Sequence, residues 1–269
     1  MKFFRRFFDF YINASIHVAL AVAALAYITV WELRIDTSTY LLLFVFFGSI
    51  TGYNFVKYSK LAGMYHRSLA HSLRAIQIFS FFSFGIVTFC LINLPLKVLW
   101  ITAIFGAFTF LYAAPFVRQK SLRSLSGFKI FVVALVWAGV TVLTPLAMTE
   151  STLTMNIGLT FLQRFLFVIV LTLPFEIRDL QYDLTNLRTL PQRLGIRKTK
   201  FFGIVLLVLS MSLELFKDVI NEPHFLSFII ICLLAGSALI VSGKKQSGYF
   251  ASFYVESIPI VWMLISLFL

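Results

Sequence analysis

Runs of about 20 apolar residues, the length that crosses a bilayer, recur along nearly the whole chain. The first extends from about Phe10 to Leu33, and others cover approximately 39–56, 75–94, 97–117, 127–147, 158–178, 200–216, 225–242 and 250–269. Composition closes off the soluble alternative. With 60% hydrophobic residues, 32 Phe in 269 positions and a mean hydropathy of +0.92, too little polar surface exists to coat a globule. The expected fold class is an all-α polytopic membrane protein of about nine transmembrane helices. Lys2-Phe3-Phe4-Arg5-Arg6 has the look of a signal-peptide start. The apolar run behind it exceeds the roughly 7–15 residues of a signal core, so it reads as a retained first span.

The net charge of +12 is distributed for topology rather than for nucleic acid. One set of alternate loops receives Lys2, Arg5 and Arg6; Lys57, Lys60, Arg67 and Arg74; Arg118, Lys120, Arg123 and Lys129; Arg178, Arg188, Arg193, Arg197, Lys198 and Lys200; and Lys244 with Lys245. These are 19 of the 23 basic residues, and Arg34, Lys97, Arg164 and Lys217 fall on the other side. That asymmetry expects a cytoplasmic N-terminus and, for nine spans, a C-terminus outside, in an inner or plasma membrane. The cytoplasmic cations would also meet anionic lipid. No nucleic-acid partner is expected. Cys90 and Cys232 lie within apolar runs and suggest neither a disulfide framework nor a metal cluster. Glu214, Asp218 and Glu222 fall on the sparse side and read as solvated loop charge.

The densest acidic stretch is Glu176-Ile177-Arg178-Asp179-Leu180-Gln181-Tyr182-Asp183, at the end of the sixth apolar run. If the helix continues to Asn186, Glu176, Asp179, Asp183 and Asn186 share one face. Asp179 and Asp183 would then sit one turn, about 6 Å, apart. Adjacent carboxylates disfavour each other's ionised form and recruit a cation or a basic partner. Magnesium prefers one or two carboxylates plus substrate phosphates. The pair therefore suggests a magnesium-diphosphate site at a membrane face; a plain acidic helix end balanced by Arg178 and Arg188 is the simpler alternative.

Continuing into Arg188-Thr189-Leu190-Pro191-Gln192-Arg193-Leu194-Gly195, this stretch resembles the second aspartate-rich motif of the UbiA-type intramembrane prenyltransferases. There an Asp-x-x-x-Asp helix end leads into a Thr-Leu-Pro-x-x-Leu-Gly-like loop. The resemblance implies a single domain over 1–269, its helices ringed around a central lipid-open cavity. Separately, the longest basic-side loops follow the second and sixth runs, each after a polar helix end and four spans apart. That spacing suggests pseudo-repeat halves of roughly 10–117 and 127–242 plus a ninth helix at 250–269, and it also suits a small transporter. The implied reaction moves a polyprenyl group from its diphosphate to an aromatic or lipid-like acceptor. Magnesium (Mg2+) held by Asp179 and Asp183 would stabilise the departing diphosphate, with Arg188 and Lys198 contacting it. Tyr112, before Ala113-Ala114-Pro115, resembles the family's tyrosine near the reacting carbon; from residues alone it reads as an interfacial tyrosine.

The family's first motif, usually Asn-Asp-x-x-Asp-x-x-x-Asp after the second span, is degenerate. Asn54 remains, but Phe55, Tyr58 and Ala62 replace the aspartates, and no acidic residue lies between Asp36 and Glu150. Lys57, one turn from Asn54, could present a cation to diphosphate in place of a metal, or could simply set topology. Two readings follow: a transferase with one metal or none, and a non-catalytic isoprenoid-binding or accessory membrane protein. Three further candidates stand apart. Asn13 and His17, at i and i+4, should make helix–helix hydrogen bonds. Glu256 in the last span is expensive in lipid and should face the interior or a partner. Lys129 reads as loop charge.

Overall fold

The computed structural model describes residues 2–36, 38–58, 73–114, 127–181 and 188–269. Asp183, Ala62, Lys60, Arg67 and Arg118 lie outside the described residues. The described secondary structure is entirely helical, as a backbone buried in lipid demands, because each peptide group must find its partner within its own segment. The helices are α1 (Lys2–Asn13), α2 (Ile16–Glu32), α3 (Thr39–Tyr58), α4 (Leu73–Ile92), α5 (Leu96–Ala113), α6 (Lys129–Leu146), α7 (Met155–Asp179), α8 (Leu190–Leu194), α9 (Ile196–Phe216), α10 (Glu222–Val241) and α11 (Phe250–Phe268). Eight are long and apolar enough to span a membrane, and the bent pair α1–α2 makes a ninth. The chain is an integral membrane protein.

One expectation needs correction here. The first apolar run is not one helix: α1 and α2 meet at 53°. Ser15, fully buried, sits at the break with φ +63°, a left-handed conformation that costs a serine of order 1 kcal/mol. Asn13 and His17 consequently flank a corner instead of sharing a helical face.

Packing follows the chain order. Contacts run α2–α3, α3–α5, α5–α6, α6–α7, α7–α9, α9–α10 and α10–α11, and α11 returns to α2 to close the ring. Helix α4 lies against α3 from outside and exposes Phe81, Phe82, Phe84 and Phe89, the side chains lipid would cover. Helix α2 carries Ala19, Ala21, Ala24 and Ala26, all buried; small side chains let helices approach closely where lipid supplies no hydrophobic drive. Gly203 serves the same end, since a Cβ there would strike Leu239 of α10 and Leu173 of α7.

Candidate functional site

The polar groups gather at two opposite ends of the ring. At one end lie the start of α2, the ends of α3 and α7, and the start of α11. At the other lie the end of α2, the start of α7 and the end of α9. Along α7 the two ends are separated by the 19 residues from Thr160 to Asp179, about 28 Å at 1.5 Å per residue.

At the first end, α3 staples the α1–α2 corner. Asn54 is buried; its amide donates to the Ala14 carbonyl (3.1 Å) and to Ser80 Oγ (2.8 Å), and its carbonyl accepts from Ser15 Oγ (2.9 Å). Tyr58 donates to the Asn13 carbonyl at 2.9 Å. These bonds hold Ser15 in its strained conformation. They also use both amide N–H donors of Asn54 and one of the two lone pairs on its carbonyl oxygen, so little of its side chain is left for a metal or a substrate. Lys57 donates to Ser15 Oγ at 2.9 Å and lies 5.9 Å from the Tyr53 ring centroid. Among the described residues no carboxylate is within ion-pair distance of it. Tyr53 accepts from Trp137 Nε1 at 2.7 Å. Tyr112 is buried, not interfacial, and within electrostatic reach of Tyr53.

Across from α3, α7 ends at Asp179, so the helical face projected to Asn186 stops short. Pro174 inside α7 leaves a backbone position without a donor, and Gln246 Nε2 donates to the Pro174 carbonyl at 3.0 Å. Glu176 is buried and pairs with Lys129 at 2.8 Å, so Lys129 is more than loop charge. Asp179 is partly exposed and takes one bond from Arg178 Nε at 2.8 Å. Arg188 and Lys198 are exposed; Arg188 has φ +47° just before α8, where the Thr189 N–H donates to Gln192 Oε1 at 3.0 Å.

The third wall comes from α11, and its sequence gave only a hint. Residues Phe250–Val255 form a π-helical turn, a widening that recurs at functional sites. The carbonyl of Phe253, in that turn, accepts from His17 Nε2 at 2.9 Å, which places the other nitrogen as acceptor of the Tyr11 hydroxyl at 2.7 Å. Ser257 Oγ donates to the same carbonyl at 2.7 Å. This clamp positions Glu256, whose carboxylate lies within the fields of Lys57 and Arg178. The ends of α3, α7 and α11 thus converge on one polar region.

The second end is a buried ionic network; of the three acids expected as solvated loop charge, Asp218 and Glu222 are exposed and Glu214 is not. Glu214 is buried, not solvated: Lys217 donates to it at 2.8 Å and to Glu32 at 2.7 Å. Thr160 completes Glu32 at 2.7 Å, and Gln163 completes Glu214 at 2.8 Å. Arg164 is buried, bonds the Leu25 carbonyl at 2.7 Å and stacks 5.2 Å from the Trp262 ring. His224 approaches Glu32 at 3.6 Å. Glu32, Gln163, Arg164 and His224 line a cavity of about 10 Å³, room for one water.

No family model matches the chain, and no curated protein does. Solved structures do. A digeranylgeranylglyceryl phosphate synthase aligns over 98% of this chain and 100% of its own, with a TM-score of 0.59 at 16% identity. A UbiA homologue from Archaeoglobus fulgidus bound to GPP and Mg2+ aligns over 95% of this chain and 98% of its own, TM-score 0.62, at 12% identity. The same homologue bound to DMAPP and Mg2+ gives 0.61 over 96% and 97%, also at 12%. The chain has the UbiA-type prenyltransferase fold. At such identities the UbiA likeness speaks for the fold alone.

The donor set fits a magnesium ion on one side only. Asp179 retains carboxylate oxygen beyond the one that Arg178 engages, and Asp183 follows outside the described residues. The α3 side presents Lys57 and an Asn54 already bonded to three partners, and among the described residues no group of three or more His, Cys, Asp or Glu is placed to hold a metal ion.

Proposed function

We propose that this protein is an integral-membrane prenyltransferase that moves a polyprenyl group from its diphosphate to a lipophilic acceptor. The observation that carries this reading is the convergence of Lys57, Arg178 with Asp179, and Glu256 at one end of a UbiA-type ring. The solved neighbours bind GPP or DMAPP with Mg2+, which favours a prenyl diphosphate as donor substrate here too. Asp179 and Asp183 would hold magnesium, which when bound supplies Lewis-acid stabilisation of the leaving diphosphate. Opposite them, Lys57 replaces metal-binding carboxylates with a cation. Its ammonium, tethered only to the Ser15 hydroxyl, can turn to a phosphate oxygen as a point charge. The Arg178 guanidinium, with one N–H on Asp179, keeps other donors for the same anion. Tyr112 would stand near the reacting carbon, while Arg188 and Lys198, being exposed, would touch diphosphate from the rim. The cation-rich face belongs to the cytoplasm, the N-terminus inside.

The test is Mg2+-dependent consumption of GPP by the purified, reconstituted chain. Asp179→Asn should abolish it, and turnover that survives neutralisation of both Asp179 and Asp183 would refute the assignment. A second reading, a non-catalytic isoprenoid-binding protein, is favoured by one observation: the α3 end is built as scaffold, with Asn54 bonded to three structural partners. Tight isoprenoid binding without turnover or metal dependence would select it.

A further inference from the structure

Buried acids in membrane proteins are expensive and are normally paired. The described acids of this chain obey that rule with one exception inside the membrane. Glu32 and Glu214 share Lys217, Glu176 holds Lys129, and Asp179 holds Arg178. Asp9 accepts from Tyr249, Asp218 from Asn156, and Glu150 pairs with Lys97. Asp36 and Glu222 are exposed at helix boundaries. Glu256 alone, in a membrane-spanning helix and largely covered, accepts no hydrogen bond from any described residue.

Its surroundings are specific. Lys57 from α3 and Arg178 from α7 act on it at a distance, and the hydroxyls of Tyr11 and Tyr53 lie in its field from α1 and α3. His17 from α2 meets the neighbouring Ser257 at 3.1 Å but spends its Nε2 proton on the Phe253 carbonyl. Lys57 is spent on the Ser15 hydroxyl and Arg178 on Asp179, so both cations lie near Glu256 without closing its oxygens. A carboxylate with open oxygens beside a polar region is placed to receive a proton.

We propose that Glu256 is the proton acceptor of the transfer step and that the acceptor substrate is a neutral lipid-like alcohol whose O–H it receives. This rests on the transferase reading above. In the step, the C1–O bond to diphosphate breaks and its electron pair leaves with the diphosphate. The acceptor oxygen forms the new bond to C1, and its proton passes to a Glu256 oxygen. The same negative charge disfavours acceptors that carry a carboxylate of their own, such as hydroxybenzoates.

The test uses the full chain in proteoliposomes with GPP and 1-octadecanol as acceptor probe, 4-hydroxybenzoate as comparison. Glu256→Gln should lower kcat for alcohol prenylation by about 100-fold or more, leave KM for GPP within a few-fold, and remove the acidic limb of the pH profile. Glu256→Asp should recover part of the rate. Difference infrared spectroscopy supplies a readout independent of turnover. The carboxylate band that Glu256→Gln deletes should shift when 1-octadecanol is added to wild type. Unchanged alcohol prenylation in Glu256→Gln, preference for 4-hydroxybenzoate, or an unmoved band would overturn the proposal while leaving GPP consumption and its Asp179 dependence intact. Loss of GPP consumption in wild type would instead bring down the transferase reading, and this assignment with it.

Discussion

The two ionic regions of this protein are made of similar residues and are organised in opposite ways. At the α7 start, each carboxylate touches a counter-charge: Lys217 serves Glu32 and Glu214, Thr160 and Gln163 fill remaining positions, and Arg164 is held by the Leu25 carbonyl and the Trp262 ring. At the α7 end, Lys57 touches a hydroxyl and Glu256 touches no charged group among the described residues, though each feels the other. With its carboxylates paired, the network at the α7 start leaves His224 Nδ1 without a partner, and its cavity admits nothing larger than a water. A region that holds opposite charges apart spends desolvation energy without recovering it in contacts. Such a cost persists where a ligand recovers it. On the proposed reading, one end of the ring serves stability and the other serves chemistry.

Four substitutions would break or sharpen that division. Lys217→Ala leaves two carboxylates buried and unpaired, and should destabilise the protein by about 3–5 kcal/mol, read as a lower thermal midpoint in detergent. Replacing Glu32, Glu214 and Lys217 together with Gln, Gln and Met should restore most of that loss, because a removed network strands no charge. Lys57→Met should behave inversely: a stability change near 1 kcal/mol for one lost hydrogen bond, and at least tenfold weaker binding of inorganic diphosphate by calorimetry, or about 1.4 kcal/mol. If Lys57→Met proved as destabilising as Lys217→Ala, the contrast between the ends would be false. Ser15→Gly should destabilise by only about 1 kcal/mol, since relief of the φ of +63° offsets one of the two hydrogen bonds, to Asn54 and Lys57, that it loses.

The smallest effect concerns the α1 attachment. Tyr249 bonds Asp9, and that bond, ahead of burial, raises the phenol above its ordinary range. A group whose proton is held more tightly when folded contributes fully below its unfolded pKa of about 10 and loses that contribution as pH rises further. Wild type should therefore lose stability slightly faster than Tyr249→Phe above that pH, in thermal scans across alkaline buffers. Tyr249 is partly exposed, so solvent screening keeps the difference slight.

Much of this architecture is written in hydropathy and charge. Spans and loop alternation are legible because lipid permits few alternatives, and the α7 end carried its Thr-Leu-Pro sequence openly. The corner at Ser15 was not legible. No Pro or Gly marks it, and a left-handed serine inside an apolar run is imposed by partners 39 and 42 residues away. Glu214 and Lys217 had the i, i+3 spacing of an ion pair, but only the fold brings Glu32 from 185 residues away to bury them. Glu256 was conspicuous for its cost, yet its orientation depends on a π turn and on His17, neither of which has a local signature.

The residues standing where the family would carry aspartates have found other employment. Phe55 stacks on Phe110, with ring centroids 6.1 Å apart, and Tyr58 ties the N-terminal helix to its corner. Aspartates placed at 55 and 58 would therefore unfasten α1 and open an aromatic seam before they could gather a cation. A carboxylate site on this helix end and the corner it anchors compete for the same positions, so one can be had only at the expense of the other.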